Sequence, residues 1–295
     1  DHPERDTSKE LSTEGIQHYQ SLIGAFQWAV SLGRYDIHCA TMTMGTFRSA
    51  PRQGHLDRLQ RVCGYLRKYP DAAIRFRTGI PDYSHLDHVT FDWKYSVYGD
   101  SDEELPLDMP TPRGNPVRTT TFEDANLMHD LTTGRSCTGI LHLVNQTPVE
   151  WFSKRQKTVE TATYGSEFVA ARIATEQIMD LRYTLRMMGV PLDGKAYMFG
   201  DNQSVITSGT IPHSSLNKRH NALAYHRVRE AIASDVIWFF HISGKINPAD
   251  VLTKFLGHVT FWPLIKPFLF WRGQPSQVKT QSLFWYGQPT FVQSS

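Results

Sequence analysis

Apolar side chains recur every three to four residues over the first part of the chain, as Ile23, Phe26 and Val30 illustrate. This spacing places them on one face of a helix. Breaks near Gly33 and ahead of Pro51 divide the region, because glycine weakens a helix interior and proline suits a first helical turn. We therefore predict three helices, from residue 16 to the break at 33–36, over residues 37–47, and from residue 51 to about residue 69.

Farther along, the pattern becomes that of strands and then of strands alternating with helices. One segment near 161–188 keeps the helical spacing until Gly189 and Pro191 end it. The predicted strands cover residues 73–77, 93–98, 118–124, 136–144, 148–153, 196–200 and 236–242. The predicted later helices cover residues 161–188 and 217–234, with a short one from residue 247. Three consecutive strands followed by helix–strand alternation predict an α/β fold, in which helices flank a mixed sheet.

The first half of the stretch Ala196–Ser204 is predicted to be a central strand that ends in a carboxylate, and Asn202, Gln203 and Ser204 suit the start of a helix. Its apolar residues alternate between two faces, with Tyr197 and Phe199 on one of them. Apolar residues on both faces are typical of a strand that is covered on both sides. Asp201 follows at the carboxyl end, where α/β sheets usually bind ligands. A simpler interpretation stays open, because Asp201 can also cap the next helix.

The long predicted helix carries one carboxylate on its apolar stripe. The stripe consists of Ala171, Ala174, Ile178, Leu181 and Leu185. Glu167 lies close to three full turns before Ile178, so it is predicted to face inward. A buried carboxylate is costly unless it binds a cation or accepts hydrogen bonds. Glu167 is therefore either a metal ligand or one half of a salt bridge, with Arg172 or another base.

Two further acids are predicted at the ends of neighbouring elements. Asp124 ends a predicted strand, and Asp250 falls in the first turn of a helix that Asn247 caps. The helix dipole by itself can account for an acid at the second position. Four carboxylates cannot cluster without cations, because like charges about 4 Å apart repel strongly. All-oxygen ligands favour Mg²⁺ or Mn²⁺, and a pair of such ions can hydrolyse a phosphodiester. The candidate ligands are Asp124, Glu167, Asp201 and Asp250.

Composition adds a candidate class of substrate. Residues 71–114 carry nine acidic and four basic side chains, whereas residues 115–272 carry seventeen basic and thirteen acidic ones. A basic surface around an acidic pocket suits a polyanion with a divalent metal, although ordinary surface variation also explains it. The three cysteines lie far apart without metal-ligand spacing, which predicts reduced thiols in an intracellular protein. No window reaches the roughly 18 apolar residues of a membrane span.

The four acids lie within a series of short motifs. In chain order these are Asp124-Ala125, Gly134–Gly139, Trp151–Gln156, Glu167-Phe168, Gly200–Ser204, Lys218–His220, Tyr225–Glu230 and Asn247–Lys254. Together they resemble the ribonuclease H domain of copia-type LTR-retrotransposon polyproteins. Upstream motifs at 19–24, 34–37, 55–56 and 65–66 resemble the thumb or connection that follows the reverse-transcriptase palm. The resemblance spans most of residues 19–256.

The resemblance implies a ribonuclease H-like mixed sheet flanked by helices, preceded by a small, mainly helical thumb/connection segment. The predicted division is a disordered N-terminus (1–15), a thumb/connection-like segment (16–80), an acidic linker (81–115), a ribonuclease H-like domain (116–256) and a C-terminal tail (257–295). It also implies cleavage of the RNA strand of RNA/DNA hybrids during reverse transcription, with two Mg²⁺ or Mn²⁺ ions on the four acids. Two departures from the family pattern are Asn126, where a second acid is usual, and His220-Asn221-Ala222, where His-Ile-Asp is usual.

Contacts with nucleic acid are predicted for basic and polar residues of these motifs. They are Arg135, Ser136, Lys154, Arg155, Lys157, Asn202, Gln203, Lys218 and Arg219. His220 and His226 are candidates for moving a proton or contacting phosphate, and the alternative for each is a packed or surface histidine.

The paired aspartates of a polymerase palm are not found, because Phe199–Asn202 offers one acid only. The predicted partners are therefore an RNA/DNA hybrid and the remainder of the reverse transcriptase polyprotein, with no membrane. The predicted location is the cytoplasm, in virus-like particles, or the nucleus. The alternative function is a decayed or truncated copy that only binds nucleic acid. The presence of all four acids favours the enzyme.

Overall fold

The computed structural model describes residues 2–99, 101–216 and 219–271. The helices are α1 (Thr13–Ser31), α2 (His38–Gly45), α3 (Gln53–Lys68), α4 (Thr163–Met187), α5 (Gln203–Thr210), α6 (Ala222–Ala233) and α7 (His258–Ile265). The strands are β1 (Ala72–Ile74), β2 (Thr119–Asp130), β3 (Arg135–Val144), β4 (Thr147–Arg155), β5 (Ala196–Gly200), β6 (Ile237–His241) and β7 (Leu269–Trp271). Short 3-10 helices cover Pro3–Arg5, Tyr35–Ile37, Arg219–Asn221 and Pro248–Leu252. None of the helices in these ranges has the length and apolarity to cross a membrane.

Five strands form one mixed sheet in the order β4-β3-β2-β5-β6. β3 pairs antiparallel with β2 and β4, whereas β5 pairs parallel with β2 and β6. This arrangement confirms the predicted mixed sheet flanked by helices. One prediction was wrong in detail, because β2 does not end at Asp124 but continues to Asp130. An irregularity in its pairing between Asn126 and Asp130 lets the strand bend and continue.

The two faces of the sheet are covered by different parts of the chain. On one face α4 and α6 pack on Ala196 and Met198, in a core that includes Ile178. On the opposite face the core contains Tyr197 and Phe199, as the alternation predicted. The residues that cover this second face come from outside the five strands: Tyr35, Tyr83, Leu252, Leu264 and Phe268. The helical segment, the linker and the start of the predicted tail thus share one core with the sheet.

Both ends of the described chain are more ordered than the sequence predicts. Residues 2–10, which were predicted to be disordered, lie against α3, where Asp6 pairs with Arg58 at 2.8 Å. Within the predicted tail, α7 and β7 form, and β7 pairs antiparallel with β1. These contacts join positions far apart in sequence, so no local sequence pattern could have predicted them. Residues 272–295 of the predicted tail lie outside the described residues.

The acidic segment 81–115 is bound to the helices over much of its length. Glu103 pairs with Arg182 at 2.8 Å and with Arg186 at 2.6 Å, both on α4. Burial alone would raise the pKa of Glu103, but the two arginines lower it to about 2. The strand predicted at residues 93–98 was wrong, since turns form there and the Ser96 N–H donates to the Trp93 carbonyl. The segment therefore neutralises basic side chains of α4.

Candidate active site

Three of the predicted carboxylates meet near the carboxyl end of the central strand β5. Asp124, Glu167 and Asp201 each offer an oxygen within 4.8 Å of the others. In the parallel β2–β5 ladder Phe122 pairs with Phe199, and an acid follows two residues later in each segment, Asp124 on β2 and Asp201 directly after β5. The two aspartates therefore extend the same register. Glu167 reaches them from α4, where it is buried on the inner side of the helix.

Asp250 joins the site through a lysine. The ammonium of Lys254 lies 2.8 Å from Asp250 Oδ1 and 3.1 Å from Asp124 Oδ1. Asp250 is not in the group of three whose oxygens lie within 4.8 Å of one another. The structure thus brings three of the four predicted ligands together directly and links the fourth to them by an ion pair.

Segment 247–254, which carries Asp250 and Lys254, is anchored to the sheet. The Asn247 side chain donates to the Glu123 carbonyl at 2.8 Å. The Ser153 hydroxyl donates to the Leu252 carbonyl at 2.5 Å. Because these partners lie on β2 and β4, the segment is fixed at two points across the sheet.

Gly139 on β3 makes this anchoring possible. It pairs with Asp124 across the β2–β3 ladder. A β-carbon at residue 139 would lie 2.6 Å from Thr253 Cγ2 and 2.9 Å from the Ala249 carbonyl oxygen, closer than atoms can pack. The absent side chain lets the segment approach the sheet, and the Thr253 hydroxyl then donates to Asp124 Oδ2.

Glu167 is not held by the salt bridge that the sequence left open. Arg172 pairs with Glu176 at 2.7 Å instead. Glu167 Oε2 is buried and has no hydrogen-bond partner. Burial raises the pKa of Glu167 well above its ordinary value, and the negative charges of Glu123 and Asp124 raise it further. An unpartnered buried carboxylate of this kind is stabilised by a cation.

The pKa values of Asp201 and Asp250 are shifted in the same direction. Burial, followed by the charge of Asp124, raises the pKa of Asp201. The same two causes raise the pKa of Asp250 to about 7. Burial alone would lower the pKa of Lys254, but Asp124 and Asp250 raise it, so the lysine stays charged. One ammonium therefore balances only part of the negative charge at the site.

Asp124, Glu167 and Asp201 line an open cleft of about 480 Å³. Their all-oxygen donor set, with Glu167 Oε2 unpartnered, fits Mg²⁺ or Mn²⁺. Asn202 and Gln203, both predicted to contact nucleic acid, also line the cleft. The cap of α5 is Asn202, whose side chain accepts from the Ser204 N–H. Asp201 is therefore not needed as a cap.

The other residues predicted to contact nucleic acid differ in their exposure. Lys154, Lys157 and Arg219 are exposed, and Arg135 is half-buried. Arg155 is ion-paired with Asp130. Ser136 is fully buried on β3, both faces of which are covered, so its side chain is not exposed for the predicted contact. Lys218 lies outside the described residues.

Neither candidate histidine lines the described cleft. His220 lies 3.3 Å from a carboxylate oxygen of Glu160. His226 shares a hydrogen bond of 2.7 Å with the Tyr98 hydroxyl. Asn126 donates to the Thr253 carbonyl at 3.1 Å. It therefore helps to anchor segment 247–254.

Sequence reasoning missed two residues of the site, Lys254 and Glu123. Lys254 follows Asp250 by four residues, a spacing that favours an ion pair on a helix and could have signalled the contact. Glu123 is buried beside Gly200, and burial followed by the charges of Asp124 and Asp201 raises its pKa well above the ordinary value. No sequence signal separates it from a solvent-facing strand residue.

Comparison with known proteins gives relatives for most of the chain. No protein-family model matches it. It is 26% identical over 237 residues (80% of this chain, 15% of the relative) to the retrovirus-related Pol polyprotein from transposon TNT 1-94 of Nicotiana tabacum. It is 22% identical over 245 residues (82% of this chain, 14% of the relative) to the retrovirus-related Pol polyprotein from transposon RE2 of Arabidopsis thaliana. The chain thus spans about 15% of the length of these curated relatives.

Among solved structures, RNase H1 from the archaeon Halobacterium salinarum is similar at 17% identity with a TM-score of 0.35. The similarity covers 47% of this chain and 95% of that one.

Proposed function

We propose that this chain, whose homologues are retrovirus-related Pol polyproteins of copia-type transposons, is a metal-dependent ribonuclease H that cleaves the RNA strand of RNA/DNA hybrids. The observation that carries this proposal is the group formed by Asp124, Glu167 and Asp201, whose oxygens lie within 4.8 Å of one another. Like charges this close are unfavourable unless cations bind between them. All three line the cleft in which a substrate would bind.

The proposed division of labour follows from the elements that carry each residue. Asp124 and Asp201 would hold the metal from β2 and β5, Glu167 from α4, and Asp250 from the anchored segment. Two bound divalent ions supply an activated water and stabilise the leaving oxygen of a phosphodiester. The ammonium groups of Lys154 and Lys157, at the end of the edge strand β4, would bind backbone phosphates without reading sequence.

We also propose that the chain works as part of a longer Pol polyprotein inside the cell. The curated relatives are several times its length. Polymerisation would then belong to other regions of that polyprotein, and the hybrid would be their product.

The test is cleavage of a hybrid whose RNA strand is labelled. With Mg²⁺ or Mn²⁺ the chain should release RNA fragments, and chelator or Asp201→Asn should abolish their release. Single-stranded RNA and duplex DNA are the matched substrate controls. Binding without cleavage under all conditions would identify the alternative, a nucleic-acid-binding module. A chain that neither binds nor cleaves the hybrid would refute both functions.

A further inference from the structure

Lys254 contacts two of the proposed ligands at once. Its ammonium lies 3.1 Å from Asp124 Oδ1 and 2.8 Å from Asp250 Oδ1. The second oxygen of Asp124 accepts from the Thr253 hydroxyl. Each oxygen of this carboxylate therefore already has a donor, and one of the donors is a full positive charge.

The position of this ammonium is set by the fold. The Lys254 N–H donates to the Asp250 carbonyl at 2.9 Å. The preceding Thr253 carbonyl accepts from Asn126 on β2 at 3.1 Å. The backbone beneath the lysine is thus fixed to the sheet, whereas its side chain lines the cleft and is 31% exposed. A lysine stem with four rotatable bonds can turn its head into the cleft while its backbone stays in place.

We propose that Lys254 is an internal counter-ion that competes with the divalent cation for Asp124 and Asp250. This proposal rests on the proposed metal site. The ammonium holds the two carboxylates together by charge, and a cation bound to the same groups is repelled by it. Lys254 is therefore a positioning residue that stabilises the acidic site and at the same time weakens its affinity for metal.

The two effects have opposite signs, which separates the proposal from a purely structural role. Lys254→Gln removes the charge but keeps a polar side chain, which is one atom shorter. Without metal the variant should melt at a lower temperature than the parent, because the acids lose their counter-ion. Its dissociation constant for Mn²⁺ should nevertheless fall about tenfold, since the competing cation is gone. A lysine that only supports the fold predicts weaker metal binding together with lower stability.

Isothermal titration calorimetry measures the dissociation constant for Mn²⁺, and thermal melts in chelator measure the stability without metal. Both use the full chain without nucleic acid. Lys254→Arg keeps the charge and should bind Mn²⁺ as the parent does. Lys266→Gln, an exposed position beyond α7, is the matched control and should change neither quantity. Unchanged or weaker Mn²⁺ affinity in Lys254→Gln overturns the proposal.

The remaining outcomes are also informative. A Lys254→Gln protein that folds only when Mn²⁺ is added supports the proposal, because the metal then replaces the counter-ion. One that stays unfolded with saturating Mn²⁺ makes the lysine structural and overturns it. A parent protein that binds no Mn²⁺ refutes the metal site itself, which is a different failure.

Discussion

At the scale of single residues, Glu167 gives the sharpest expectation. Its buried Oε2 has no partner, and burial with neighbouring negative charges raises its pKa. Glu167→Gln replaces it with a neutral side chain of the same shape and removes the repulsion. We expect the free energy of unfolding without metal to stay equal or rise, while the stabilisation by Mn²⁺ shrinks and hybrid cleavage is lost. Urea unfolding with and without Mn²⁺ measures the stability and its dependence on metal, and a cleavage assay on the same preparation measures the activity.

Glu176→Gln is the matched control for that substitution. It lies on the same helix, but its partner Arg172 is at the surface, so little should change in either quantity. If Glu167→Gln instead lowered stability by about 3–5 kcal/mol, the residue would be half of a buried ion pair. Retained cleavage would also remove it from the catalytic site.

The raised pKa of Asp250 leads us to expect that the stability of the protein depends on pH with a definite sign. Burial and Asp124 raise its pKa from 3.8 to about 7. Between these values the folded protein binds more protons than the unfolded chain, so its contribution to stability is lost as pH rises. His38 and His142 act in the opposite direction, because burial lowers the pKa of each from 6.5 to about 4. The dependence of the free energy of unfolding on pH in the parent protein is therefore a sum of opposing effects.

Comparison with Asp250→Asn isolates the contribution of this one carboxyl group. From pH 4 to pH 7 in chelator, we expect the free energy of unfolding of the variant to rise relative to that of the parent. Urea titrations at closely spaced pH values measure the difference. A difference that is flat over this range, or that falls, contradicts the raised pKa of Asp250.

Glu167 and Asp201 could be located from the sequence because helical and strand periodicity tell which way a side chain faces. The link between Lys254 and Asp124 could not, since it joins residues 130 positions apart. The burial of Ser136 was missed because both faces of β3 are covered, so alternation along the strand does not tell which of its side chains reach the surface.

At the scale of elements, the close approach of segment 247–254 to β3 depends on Gly139. Gly139→Ala would place a β-carbon 2.6 Å from Thr253 Cγ2 and 2.9 Å from the Ala249 carbonyl oxygen. We expect a loss of about 1–3 kcal/mol from overpacking. Because the segment carries Asp250, a proposed metal ligand, stabilisation by Mn²⁺ should also fall. Urea unfolding with and without Mn²⁺ measures both effects.

Gly64→Ala on α3 is the control for this substitution, because no atom lies within 4 Å of the position of its added β-carbon. There the same change should stabilise slightly, as alanine favours a helix. If Gly139→Ala were as stable as the parent and responded equally to Mn²⁺, the packing of the segment would not control the site.

Most of the sheet and its flanking helices could be predicted because their patterns are local. Hydrophobic period and turn residues placed β3, β5 and α4 to within a few residues. The true end of β2 could not be placed, since the strand continues through an irregularity that its pairing with β3 stabilises. Three-residue strands such as β1 and β7 exist only through each other and carry no pattern of their own.

At the scale of the whole molecule, the N-terminal helices and the sheet share packing. The Trp151 indole on β4 donates to the Val30 carbonyl on α1 at 3.0 Å. The same side chain packs against the core of α1–α3 and against the core on one face of the sheet. The boundary predicted between residues 80 and 116 is therefore a division of sequence patterns, whereas the packing is continuous across it.

Trp151→Ala tests this continuity. We expect a loss of about 2–4 kcal/mol, below that of a fully buried tryptophan because this one is half-buried. Hydrogen exchange of α1–α3 amides and of β2–β3 amides should rise together, and the parent should unfold in one transition by both probes. Helices that open first, with the sheet unchanged, would show two independent units.

The pairing of β1 with β7 has a consequence for how the protein is made. Ile74 pairs with Leu269, so this small ladder spans nearly 200 residues of chain. A ribosome adding about 5–20 residues per second needs roughly 10–40 s to cover that distance. During this interval β1 has no partner, and from the completion of β6 until α7 is made the face of the sheet that α7 later covers is bare. The nascent chain therefore spends this period with segment 72–74 unpaired, and after β6 is made it also exposes an apolar surface to which a chaperone could bind.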